Sequence, residues 1–159
     1  MSTIPVQTIL QWALEIERNG EAFYRAAAAA AQDREVHTLF SDLAYQEQRH
    51  YRTFERMLAR APEIPPDIDV GDYVNYMRTA LADALVGPDK GMERARLART
   101  EEQALRAAMA FEKDTLLFFY ELADWVAPEQ KATLRAIIDE ERDHLRQLSR
   151  VLESGPWVA

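Results

Sequence analysis

Glu47-Gln48-Arg49-His50 and Glu141-Arg142-Asp143-His144 are two Glu-x-x-His tetrads, 94 residues apart, and each interrupts an apolar stripe at the same place. Before the first tetrad the stripe runs through Val36, Phe40 and Leu43, and after it through Phe54 and Met57. Around the second it runs through Leu134 and Ile137, then Leu148 and Val151. Spacings alternating between three and four mark the buried seam of a helix in a bundle. The seam positions missing from both stripes are the Glu and the His.

Two further stripes each carry one acid. Ile9, Ala13, Ile16, Gly20 and Phe23 surround Glu17, and Leu105, Met109, Leu116 and Phe119 surround Glu112, 95 residues further on. The chain therefore reads as an internal repeat, with four helices that each bring charge into the core.

Helix boundaries follow from capping and breaker residues. Pro5 suits the first turn of a helix reaching to about Ala31, and Asp33 suits the cap of a second that runs to about Ala61, before Pro62 and Pro65-Pro66. Thr100-Glu101-Glu102-Gln103 reads as a capping box for a third helix, Glu101 to Val126. Pro128 opens a fourth that runs to about Glu153, before Gly155-Pro156. Between the two hairpins a short helix is expected over Asp72 to Leu85, closed by Gly87-Pro88. The expectation is an all-α fold, one domain over residues 1–159, with two helical hairpins joined by a long crossover.

Totals narrow the function. A formal charge of −8 disfavours nucleic acid, which needs clustered cations. Without cysteine there is no disulfide, thiol catalysis or iron–sulfur cluster, so any metal is held by oxygen and nitrogen. The N-terminus lacks a basic region and its apolar run is broken by Gln7, Gln11 and Glu15, which supports neither a signal peptide nor a membrane span and makes the cytoplasm the expected location.

Four carboxylates and two imidazoles on one interior seam require a cation, because buried like charges repel and a lone buried carboxylate is costly. No Lys or Arg stands at these positions. Bound metal is the economical source of positive charge, and two divalent ions would halve the formal charge. Glu47 with His50 and Glu141 with His144 can each clamp one ion, with Glu17 and Glu112 completing or bridging the pair. One Glu from each of two helices and a Glu-x-x-His from each of the others is the general pattern of di-iron and di-manganese carboxylate bundles. A single Glu-x-x-His is weak, since Glu is 16 of 159 residues, but two in register with a repeat are specific. His37 lies off the seam and reads as a surface residue. Tyr24, seven after Glu17 on the same face, can donate its phenol to a ligating carboxylate or simply pack in the core. Trp12, Trp125, Phe118 and Phe119 read as core or interface, and the tail from Gly155, ending in Trp157-Val158, as an element that docks on a partner or a frayed end.

With these residues in place, the sequence resembles the ferritin-like di-iron proteins of the rubrerythrin type, in the form lacking a rubredoxin domain. The likeness covers nearly the whole chain. It rests on Glu17 with Phe23-Tyr24, on Glu47-Gln48-Arg49-His50, on Glu112-Lys113-Asp114 leading to Phe118-Phe119-Tyr120, and on Glu140-Glu141-Arg142-Asp143-His144. It implies a ferritin-like four-helix bundle, two iron ions (manganese being the alternative) on Glu17, Glu47, His50, Glu112, Glu141 and His144, reaction with peroxide or oxygen, and a homodimer. The sequence departs from the pattern where Phe119 replaces the tyrosine seven after the third helix's Glu. Without a cysteine-ligated rubredoxin iron, an external electron donor is implied. Bacterioferritins carry a haem-ligating Met directly after the second-helix Glu; Gln48 stands there, so no haem is expected. Two functions follow: an oxidoreductase of the peroxidase or ferroxidase kind, or a non-catalytic protein that binds, stores or delivers iron or manganese.

Overall fold

Four long helices arise where the apolar stripes predict them: α1 (Val6–Ala30), α2 (Arg34–Ala59), α4 (Glu101–Trp125) and α5 (Lys131–Ser154). The computed structural model describes residues 3–61, 68–69, 79 and 87–157. A short helix α3 (Lys90–Leu97) precedes α4, and a 3-10 turn, Pro128–Gln130, precedes α5. Two-residue strands β1 (Thr3–Ile4) and β2 (Ile68–Asp69) pair antiparallel, Ile4 opposite Ile68. The architecture is a four-helix bundle in which α1 packs on α2, α4 on α5, and the hairpins face each other through α1 with α4 and α2 with α5. No helix among the described residues is long and apolar enough to cross a membrane.

Local chemistry explains the boundaries. Asp33 Oδ1 accepts from the backbone N–H of Glu35 and Val36 at 2.8 and 3.1 Å, a cap that contributes about 1 kcal/mol. Thr100 caps α4 by accepting from Gln103 N at 3.1 Å, while Gln103 Oε1 reaches back to Arg99 N at 2.8 Å, one residue beyond the standard box. Glu101 Oε1 accepts from Gln32 N and Asp33 N, tying the α1–α2 turn to the start of α4. Pro5 is the N-cap of α1 rather than its first-turn residue, and the helix at Pro128 is the 3-10 turn, with α5 starting at Lys131.

The helix expected over Asp72 to Leu85 lies outside the described residues, apart from residue 79. The crossover helix that is described, α3, follows Gly87-Pro88 and packs on α1. A Cβ at Gly91 would collide with the carbonyl of Asn19, so only glycine permits this approach. Buried Asn19 fixes the contact: its amide donates to Gly87 O at 3.1 Å, and its Oδ1 accepts from Gly91 N at 3.2 Å.

The apolar core is divided in two. One part gathers Ile9, Leu10, Phe54, Leu116, Phe119 and Leu134, the other Phe23, Phe40, Leu43, Leu105 and Leu148. Each buried Leu, Ile or Phe contributes about 1.5–3 kcal/mol, which is enough to hold a polar belt between the two parts. Trp157 folds back on the second part and donates from its indole to Leu152 O at 2.7 Å, so the tail docks on its own bundle as far as this residue.

Candidate metal centre

All six seam residues meet in the belt between the two apolar parts. Glu17, Glu47, Glu112, Glu141 and His144 have no exposed surface, and His50 is 2% exposed. They form two overlapping groups whose donor atoms lie within 4.8 Å of one another: Glu17, Glu47, His50 and Glu141, and then Glu47, Glu112, Glu141 and His144. Glu47 and Glu141 thus belong to both groups. Glu17 and Glu112 each complete one, so of the two roles expected for them, completing and bridging, the geometry favours completing.

Each imidazole turns Nδ1 inward and Nε2 outward. His50 Nδ1 lies 2.9 Å from Glu141 Oε1 and 3.6 Å from Glu17 Oε2, and its Nε2 lies 2.8 Å from Glu140 Oε2. His144 Nδ1 lies 2.8 Å from Glu141 Oε2 and 3.3 Å from Glu112 Oε1, and its Nε2 lies 2.9 Å from Gln46 Oε1. The two rings are stacked with centroids 5.7 Å apart. Because carboxylate and amide oxygens accept, each outer contact is an Nε2–H donating, which fixes the ring and leaves Nδ1 for the cluster.

The carboxylates are under-satisfied. Among the described residues, both oxygens of Glu17, both of Glu47 and Oε2 of Glu112 accept no hydrogen bond. Burial, followed by the charge of Glu141, pushes Glu17 up to about 7 and Glu112 up to about 8. Glu47 is raised well above its ordinary value by burial and then by its three carboxylate neighbours. Burial would also raise Glu141, but His144 and His50 together hold it well below the usual range. Burial lowers His144, yet Glu141 and Glu112 outweigh it and carry the imidazole up to about 10; His50 is raised likewise against its own burial. Without a metal, protons on the raised groups offset part of the buried negative charge.

Tyr24 is buried and its hydroxyl donates to Glu112 Oε1. Burial and the charges of Glu112 and Glu47 hold the phenol well above its ordinary pKa, so it remains a donor. Phe119, its counterpart in the repeat, packs against Phe54 and Phe118 with ring centroids 5.1 and 6.1 Å away. His37 is exposed, and its Nδ1–H donates to Ala28 O at 2.8 Å, which satisfies a carbonyl at the end of α1.

Sequence reasoning missed Gln46 and the roles of Glu140 and Gly20. Gln46 and Glu140 each stand directly before the Glu of a tetrad, a matched position that could have marked them, but each reaches the histidine of the other hairpin. A Cβ at Gly20 would clash with Glu47 Oε2. In the repeat, Gly20 matches Thr115, whose buried hydroxyl has no partner among the described residues.

Two facing hairpins around a buried carboxylate–imidazole belt define a ferritin-like bundle, and a solved structure agrees. A ferritin-like diiron-carboxylate protein from Thermotoga maritima superposes with a TM-score of 0.77 at 27% identity, covering 97% of this chain and 98% of that one. The chain belongs to the Rubrerythrin family, whose model matches residues 8–152. No curated protein matches its sequence.

Proposed function

We propose that the chain is a di-iron carboxylate oxidoreductase that reduces hydrogen peroxide or oxygen with electrons from an external donor. The single observation that carries this reading is the convergence of unpartnered, fully buried carboxylate oxygens with two inward Nδ1 atoms in two overlapping groups. That set fits iron: carboxylates change binding mode as the ions gain charge, and imidazole favours transition metals over magnesium or calcium. Glu17 and His50 would hold one ion, Glu112 and His144 the other, and Glu47 and Glu141 both. When bound, two ferrous ions supply two electrons, matching a two-electron acceptor.

The chain's own residues prepare the site. The Nε2–H of His50 and of His144 anchors each ring outward, and each ring gives up its Nδ1 proton as a ligand. Tyr24 orients Glu112 through its phenol. Phe23, Phe40, Phe54 and Phe119 keep bulk water from the belt. The relative's own description names a diiron-carboxylate protein, which supports iron here.

The test is anaerobic. Ferrous-loaded protein mixed with hydrogen peroxide should have both ions oxidised to ferric for about one peroxide per pair, the peroxide taking two electrons and two protons to leave as two waters, and with an added reductant it should consume peroxide over many turnovers. Uptake and release of iron or manganese without turnover would instead make it a metal carrier. Oxidation far faster by oxygen than by peroxide would make it a ferroxidase.

A further inference from the structure

We infer that the two metal positions are unequal, with the one at Glu17 and His50 the tighter because the Glu140 carboxylate backs its imidazole where the neutral Gln46 backs that of His144. The inference rests on the metal-centre reading above and deepens it.

Two independent comparisons point the same way. Behind His50, Nε2–H donates to Glu140 Oε2 at 2.8 Å; behind His144, the equivalent N–H donates to the amide oxygen of Gln46 at 2.9 Å. A carboxylate acceptor makes an imidazole a stronger donor to a metal than an amide does, and adds a negative charge just outside the ligands. Arg49, 3.7 Å from Glu140 Oε1, orients that carboxylate; both side chains are partly exposed, so solvent screens the pairing. The second comparison is on the carboxylates. Glu17 accepts no hydrogen bond among the described residues, whereas Glu112 Oε1 accepts from Tyr24. A hydrogen-bonded oxygen shares its charge with the donor and gives less of it to a cation. Glu47 and Glu141 serve both positions and cancel from the comparison.

Glu140 and Gln46 are therefore positioning residues, each acting through a histidine of the opposite hairpin. Metal-free full-length protein titrated with Zn²⁺, which has no redox chemistry, should bind in two resolved calorimetric steps at neutral pH. Glu140→Gln should weaken the first step by roughly ten-fold or more, the usual cost of removing such a partner, and leave the second in place. Glu140→Asp, which keeps the charge, should retain more of the first step. Gln46→Glu should tighten the second step, a gain no merely structural role produces.

Equal positions that only repel each other's ions behave oppositely. There, Glu140→Gln would spare the first step and weaken the second, and Gln46→Glu would tighten the first. Either of those results, or no change in both variants, overturns the inference while leaving the metal centre standing. Failure of wild-type protein to bind Zn²⁺ would remove the centre and the inference together. Far-UV circular dichroism of each variant shows that the fold is kept.

Discussion

Glu17 with His50 and Glu112 with His144 are the same two residue types on helices that repeat each other, yet their surroundings differ at three supporting positions. Position 20 is Gly and its counterpart 115 is Thr; position 24 is Tyr and its counterpart 119 is Phe; Glu140 stands where the other half has Gln46. The inner residues follow the repeat and these three supporting positions do not. Identical donors fix how many ions the cluster can take, whereas the contacts behind them fix how alike those ions are.

The largest expected effect separates shared from unshared residues. Glu141→Ala removes the acid lying between both imidazoles and should abolish binding of both ions, while Glu17→Ala should leave about one ion per chain, by elemental analysis after gel filtration. Equal losses in the two variants would remove the distinction.

Gly20 and Thr115 come next. Gly20→Ala forces Glu47 aside and should cost about 1–3 kcal/mol of unfolding free energy as well as metal affinity. Thr115→Val deletes an unpartnered buried hydroxyl and should be within about 1 kcal/mol of neutral. Chemical denaturation compares the two directly.

Tyr24→Phe deletes a hydrogen bond to a buried acid and should cost about 1–2 kcal/mol in the metal-free protein. Phe119→Leu, in the other half, loses packing without touching a carboxylate and should leave the pH dependence of stability unchanged.

The sign of that pH dependence is set by the raised groups. Folded Glu17 and Glu112 hold protons up to about 7 and about 8, against 4.5 for the unfolded chain, and His144 up to about 10 against 6.5. The stabilisation from these groups is complete below the unfolded values and is lost as pH rises through the folded ones. Glu141, lowered by its histidines, acts oppositely: its contribution is present above 4.5 and lost as pH falls through its depressed value. Metal-free protein should therefore melt higher near about pH 5 than near about pH 9. Loading with a divalent ion should reverse that slope, because ligation needs the deprotonated forms. Thermal unfolding with and without chelator at both pH values checks it.

Much of this was legible in the sequence because the seam residues announce themselves by periodicity. Val36, Phe40, Leu43, Leu134, Ile137 and Leu148 are all buried as their spacing predicts, and the interruptions at Glu47, His50, Glu141 and His144 fall where the core is polar. Met109, placed on the same seam, is only partly buried. Helix α3 was not legible. It is short and charged, Asp89 at its start is left-handed and gives no side-chain cap, and its place depends on Gly91 meeting Asn19, 72 residues away. Glu140 and Gln46 escaped for a related reason: each acts on a histidine of the other hairpin, and no spacing within one helix reveals a contact between two.

The most direct test of the paired centre is iron titration of the metal-free protein under anaerobic conditions, with bound metal counted per chain. The cluster as built predicts saturation at about two ions with release of protons from the imidazoles and the raised carboxyls. Saturation at one ion, or binding that survives replacement of both Glu47 and Glu141 by Ala, would contradict it.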